Sequence, residues 1–293
     1  MDDYRPLTLA AARAALHVLR ARGRTPQMLT ELVDGSHVQS HVMNGRVQEK
    51  YNPQNHKLPV CSEGCAWCCY ASVLVTVPEV LRIAQHLRET LAPPELDVVK
   101  ARVAATAAKT RDLGSAERFR TQTPCPMLDV ASGGCTVHET RPGICRAYNS
   151  CDVGACIRAF ETKNMSEKIR GNSLMQRSIT AVWVGLIAAC EIEGLDPGAV
   201  ELSAGLHVAL SVPNALERWL AGDRVFEEAR TKMSQVAAST YRLPVKIAKD
   251  AVRALEEGAT GAAEGPAMTA LAAADEDAAR RERNRKKRAK QGR

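Results

Sequence analysis

Apolar positions recur at helical spacing along most of the chain. Between Ala10 and Arg22 the stripe Ala11, Ala14, Ala15, Val18 and Leu19 predicts a helix that stops near Gly23. Thr25-Pro26 sets an N-cap before a proline at the first helical position, opening a second helix toward Gly35 or Asn44-Gly45. Residues 46–60 hold two prolines and many polar side chains and read as a loop. Pro78 opens a helix to about Leu91, and Pro93-Pro94 opens a longer one ending near Gly114. Ser173 to Glu193, with Leu174, Ile179, Val182, Leu186 and Ile187, is a strongly apolar helix. Shorter helices are expected around 199–210, 214–221, 223–234 and 245–257.

The middle breaks this pattern. Residues 125–146 read CPMLDVASGGCTVHETRPGICR. Leu128–Val130 and Cys135–Val137 can pair as a short hairpin around Ser132-Gly133-Gly134, because glycine supplies the positive φ of a tight turn. Arg141-Pro142 is then extended, since the residue before proline avoids the helical region. The fold expected is mainly α, a helical domain with a small cysteine-rich metal-binding insert containing a short β-hairpin. Its parts are N-terminal helices (1–50), a cysteine-cluster domain (51–160), a C-terminal helical region packed on it (161–257) and an Ala/Gly-rich linker with a basic tail (258–293).

Composition supports helices: aromatics are only 4% of the chain, so the core is to be built from aliphatic side chains and alanine rather than broad β-faces. The net charge of +7 suggests nucleic acid until it is located. Residues 280–293 hold nine of the 40 basic residues and one of the 33 acidic ones, leaving a nearly neutral body of 31 basic and 32 acidic. The tail is read as a solvated end, with nucleic-acid contact by the tail the alternative for a zinc-stabilised binding module. No stretch has the length and purity of a membrane span, and the first twenty residues lack a signal-peptide core, so a cytoplasmic protein is expected.

That expectation changes the meaning of ten cysteines. In a reducing compartment, clustered thiols are ligands or catalysts more often than disulfides. Residues 61–70 read CSEGCAWCCY. If this segment is even loosely helical, Cys61, Cys65 and Cys68 fall within about 60° of one face and Cys69 within about another 80°. The hairpin brings Cys125 and Cys135 near one another, and Cys145 closes the unit. Cys151 and Cys156 are further candidate ligands, and so is His138, which lies between Cys135 and Cys145. Cys190 stands alone in an apolar helix and reads as core packing. His37 and His41 are spaced for one helix face but lack a carboxylate motif, so solvent-facing or capping roles are expected. Arg141 and Arg146 flank Cys145, where guanidinium charge would stabilise thiolates. No Ser-His-Asp pattern, phosphate loop or dinucleotide fingerprint is present, and no catalytic residue is assigned.

C-x3-C-x2-C alone also suits a radical S-adenosylmethionine enzyme. That reading requires a β/α barrel, and it leaves Cys69 and the three later cysteines unexplained. The ordered series is more specific: Cys61-x3-Cys65-x2-Cys68-Cys69, Cys125-Pro126-x-Leu128-Asp129, Gly134-Cys135-x-Val137-His138 and Arg141-Pro142-x2-Cys145-Arg146. Together these resemble the YkgJ-type cysteine-cluster family over roughly residues 55–150. Its members are described as zinc- or iron-chelating, and a related cluster occurs in flagellin lysine N-methylase. The resemblance implies a metal-chelating domain drawing on these seven cysteines, and little about a reaction or protein partner. All-sulfur donors suit zinc or an iron–sulfur cluster, with a 4Fe-4S cubane on Cys61, Cys65, Cys68 and Cys145 favoured.

Overall fold

The computed structural model describes residues 4–50 and 58–258. The basic tail, on which the nucleic-acid alternative depends, lies outside the described residues.

The chain is mainly α. In order it forms α1 (Arg5–Arg22), α2 (Pro26–Lys50), β1 (Leu74–Thr76), α3 (Val77–Thr90), α4 (Pro93–Thr110) and α5 (Ser115–Arg120). Then follow α6 (Gly143–Ala147), α7 (Val153–Glu161), α8 (Ser173–Ile192), β2 (Ala199–Glu201), α9 (Leu202–Ser211), α10 (Ala215–Ala221) and α11 (Lys232–Glu256). Four expectations are corrected. Helix α2 runs through Gly35 and Asn44-Gly45, so residues 46–50 are helical rather than loop. Residues 199–201 form a strand before α9 begins, and 223–234 contain only a short 3-10 turn, Glu227–Ala229, before α11 opens. The last helix starts at Lys232 rather than near residue 245 and passes through Pro244.

Helix α8 is the axis. It packs against α1, α2, α6 and α11. By length and composition it could cross a membrane, but 67% of its most apolar window is buried inside the fold, so its surface is spent on the core. The α1–α8 crossing is close because residue 185 has no side chain: a β-carbon on Gly185 would come within 2.6 Å of the Ala11 β-carbon and 2.7 Å of the Thr8 carbonyl oxygen. The buried alanines of α1 (Ala11, Ala12 and Ala15) complete the small-residue seam. One apolar core runs from Ala12 to Val252 and takes in Met127 and Val137 of the cysteine-rich segment.

A two-stranded ribbon follows the first cysteine segment, and its first strand packs against α6. β1 and β2 pair antiparallel with Val75 opposite Val200, and each runs directly into a helix. Thr76 caps α3 in a capping box with Glu79, and the Glu201 carboxylate accepts from Ser203 N and Ala204 N to open α9. This antiparallel pair is the sole sheet among the described residues, so the strand–helix alternation of a radical S-adenosylmethionine barrel is not present there.

Candidate metal centre

The first cysteine segment is a loop followed by one helical turn. Val60 N donates to Ser150 O at 2.8 Å, and Ser150 N donates to Cys61 Sγ at 3.3 Å. Residues 62–65 turn back through Gly64, with Cys65 N on Ser62 O. Only Trp67–Tyr70 are helical, as a 3-10 turn, so the loose helix expected over 61–69 is confined to its end. The turn is fixed by aromatic packing: Trp67 and Tyr70 both meet Phe160 of α7, with ring centroids 5.2 and 4.6 Å apart. That contact carries α7, and with it Cys156, to the cluster.

The second segment docks on the other side. Cys125 N donates to Cys69 O at 2.7 Å, linking backbones 56 residues apart. The expected hairpin is present in minimal form, a single bridge between Leu128 and Cys135. Its turn is tied by Asp129, whose carboxylate accepts from Ala131 N and Ser132 Oγ, and Gly133 has φ +71°. A β-carbon on Gly133 would overlap the Gly64 carbonyl, so the hairpin tip lies directly on the first cysteine loop.

The third segment hangs from a buried acid. Glu79 Oε1 accepts from Gly143 N at 2.6 Å and so fixes the first turn of α6, which carries Cys145. Its other oxygen accepts from Thr76 N and Oγ1 and from Trp183 Nε1. His37 Nε2 lies 3.9 Å from Oε1. Burial acts against the Glu79 carboxylate, yet His37 and the N–H groups of Gly143 and Thr76 hold it below the ordinary range. His37 is therefore buried against Glu79 rather than solvent-facing, and neither ring nitrogen has a hydrogen-bond partner; His41 is exposed.

Several of the thiols are raised above the ordinary range by burial. Burial raises Cys65, and the charges of Cys61, Cys68 and Cys156 act on it further. Burial pushes Cys125 up to about 12, with Cys135 adding to the shift and Arg118 opposing it. Cys145 is raised by burial and then by Cys125, Cys68 and Cys135. Cys68, hydrogen-bonded to Cys69, is raised chiefly by that bond. Burial also raises Cys135, which Arg141 and Arg146 oppose. The Arg146 guanidinium is held by Arg141 O and Glu139 O. Arg118 is 1% exposed and donates to Thr123 O, with buried Glu201 as its opposing charge.

Two candidates stand apart. His138 sits on an exposed turn, its Nδ1 3.8 Å from the Glu139 carboxylate. Cys190 is fully buried in α8, with Glu191 and Asp196 as its charged neighbours, consistent with packing. Cys151 N donates to Arg170 O at 2.7 Å, leaving its half-buried thiol beside the Ser150 turn. Among the described residues no group of three or more His, Cys, Asp or Glu side chains already stands within ligand reach of one point. The donor chemistry nonetheless fits a soft metal: the neighbouring groups are thiols, and the charges facing Cys125 and Cys135 include arginines.

Residues 60–169 match the CxxCxxCC family model, described as "Putative zinc- or iron-chelating domain". This segment carries that cysteine-cluster domain. It spans just over a third of the chain and includes the α7 face bearing Cys156, beyond where the four sequence motifs end. No curated protein and no solved structure matches the chain. Sequence reasoning overlooked Phe160 and Glu79, which fix the cysteine-cluster domain in place. The capping-box half of Glu79 is readable in Thr76-Val77-Pro78-Glu79, but its bond to Gly143, 64 residues away, is not.

Proposed function

We propose that the cysteine-cluster domain chelates iron on cysteine thiolates, as an iron–sulfur centre, and so clamps three chain segments onto the helical body. The reading is carried by one observation: the backbone bond from Cys125 N to Cys69 O, which seats two cysteine-bearing segments side by side. The all-sulfur donor set and the C-x3-C-x2-C start support iron with inorganic sulfide. When bound, such a centre supplies one-electron redox chemistry. The residues of the chain position it: Glu79 orients α6 and Cys145, Phe160 holds the Trp67–Tyr70 turn, and Arg141 and Arg146 oppose the charge of thiolates near Cys135.

Zinc is the second reading, favoured by the sparse regular structure of residues 58–66 and 121–137, where a closed metal site would contribute folding free energy directly. Full-length protein purified without oxygen separates the two. Iron and sulfide in comparable amounts, with a brown colour bleached by air, support the first. A colourless, air-stable protein carrying zinc supports the second. A metal-free protein with all thiols titratable overturns chelation itself.

A further inference from the structure

A cleft of about 450 Å³ opens between α4 and the cysteine hairpin. Both walls are anchored. Helix α4 packs along α9, and the hairpin is pinned at Cys125 by the Cys69 carbonyl and at Gly133 by the Gly64 backbone. Buried Pro126 and Leu128 give the cleft an apolar floor, with Cys125 beside them. Val130 also lines it and is 63% exposed, an apolar side chain left open to solvent. Two opposite charges line the same cleft without pairing. Arg102 of α4 is exposed, and its guanidinium has no hydrogen bond or ion pair among the described residues. On the hairpin wall, the Asp129 carboxylate accepts one bond on each oxygen, from Ser132 Oγ and Ala131 N, and keeps a lone pair on each. Those bonds hold its pKa below the ordinary carboxylate range, and the Arg102 charge acts in the same direction. Asp129 is therefore ionised at neutral pH.

We propose that this cleft binds a free α-amino acid with an apolar side chain: Arg102 takes its carboxylate, Asp129 its ammonium group, and Pro126, Leu128 and Val130 its side chain. A zwitterion fits where a single charge does not. A simple carboxylate would be repelled by Asp129 and a simple amine by Arg102, whereas a zwitterion satisfies both and bridges the gap that the two side chains leave between them. The apolar floor selects the side chain, because a polar one would be left there without hydrogen-bond partners. The volume lies within the range of small-molecule sites. An amino acid bound there would cover the wall that carries Cys125. The proposal requires no metal and does not rest on the chelation reading above.

The test titrates the full-length protein with leucine by calorimetry, beside leucinamide, which lacks the carboxylate, and N-acetylleucine, which lacks the ammonium group. Leucine should bind, and each analogue should bind about tenfold or more weakly, the loss expected for one charge-assisted hydrogen bond. Arg102→Gln should weaken leucine by about the same factor without weakening leucinamide. Asp129→Asn should weaken leucine without weakening N-acetylleucine. Arg120→Gln, on α5 and outside the cleft, should keep leucine binding intact. Because Arg102 is exposed and unpaired, its variant tests the site even if Asp129→Asn loosens the hairpin turn. No binding of leucine at millimolar concentration overturns the proposal. Equal affinity for leucine and both analogues, or leucine affinity unchanged in Arg102→Gln, also overturns it.

Discussion

Gly133 and Gly64 meet backbone to backbone: the place where Gly133 would carry a β-carbon is occupied by the Gly64 carbonyl. The contact seats the hairpin that presents Cys135 on the loop that presents Cys61 and Cys65. It also requires a left-handed backbone at Gly133, with φ +71°. Gly133→Ala should therefore cost about 1–3 kcal/mol in denaturant unfolding and reduce metal content. Gly35, inside α2 with open space around it, is the contrast, and Gly35→Ala should stabilise by about 0.5–1 kcal/mol with metal unchanged. Equal effects from the two substitutions would refute the close-contact argument.

Glu79→Gln should destabilise by about 1–3 kcal/mol at neutral pH, because a buried carboxylate accepting from Gly143, Thr76 and Trp183 is replaced by an amide that must donate as well. The ionisable groups around it are His37, Cys145 and Arg146. Its folded pKa lies below the ordinary 4.5, so its stabilising contribution is complete above that value and is lost as pH falls through the lower folded one. The gap between wild type and Glu79→Gln should narrow below about pH 4.5. A gap that widens on acidification would reverse the sign assigned to this acid.

Phe160→Ala removes the ring under both Trp67 and Tyr70. A loss of about 1–3 kcal/mol is expected, together with faster proteolysis within 58–70 and 150–161. Phe160→Leu should recover part of the stability. Protection of these segments unchanged in Phe160→Ala would show that α7 is held by other contacts.

Cys65→Ser and Cys190→Ala should separate ligand from packing. The first is expected to lower metal content while leaving the metal-free chain about as stable as before. The second should cost about 1 kcal/mol and leave metal content intact, since Cys190 is enclosed in α8 away from the other thiols. Elemental analysis beside thermal melts of metal-free protein decides it.

Local signals were readable and long-range ones were not. The stop of α1 at Gly23, the openings of α3 and α4 at prolines, and the Leu128–Cys135 hairpin follow from residues within a few positions of one another. Helix α11 was misplaced because Pro244 resembles a first-turn proline. The Thr231–Ser234 capping box begins the helix earlier, and Val245, Ala248 and Val252 bury a face that carries it past the proline. The ribbon was invisible because each strand is three residues long and is defined only by a partner over a hundred residues away. The spacing of His37 to His41 carries no sign of its burial, which brings it 3.9 Å from Glu79 on α3. The thiols could be grouped from sequence, but the contact that brings the Cys156 helix to the first cysteine turn depends on Phe160, which lies outside the four motifs.

Forming the ribbon is also a long-range step of folding. Pairing Val75 with Val200 closes a very long loop, and every later cysteine, from Cys125 to Cys190, lies within it. A metal that joins Cys68 or Cys69 to Cys145 before the ribbon forms would roughly halve the chain left to be closed. By the logarithmic dependence of closure entropy on length, halving it lowers the cost by about 0.6 kcal/mol, a two- to threefold faster search. The centre would then serve as a topological shortcut during folding, with metal-loaded chains refolding ahead of metal-free ones and ribbon formation the step that gains.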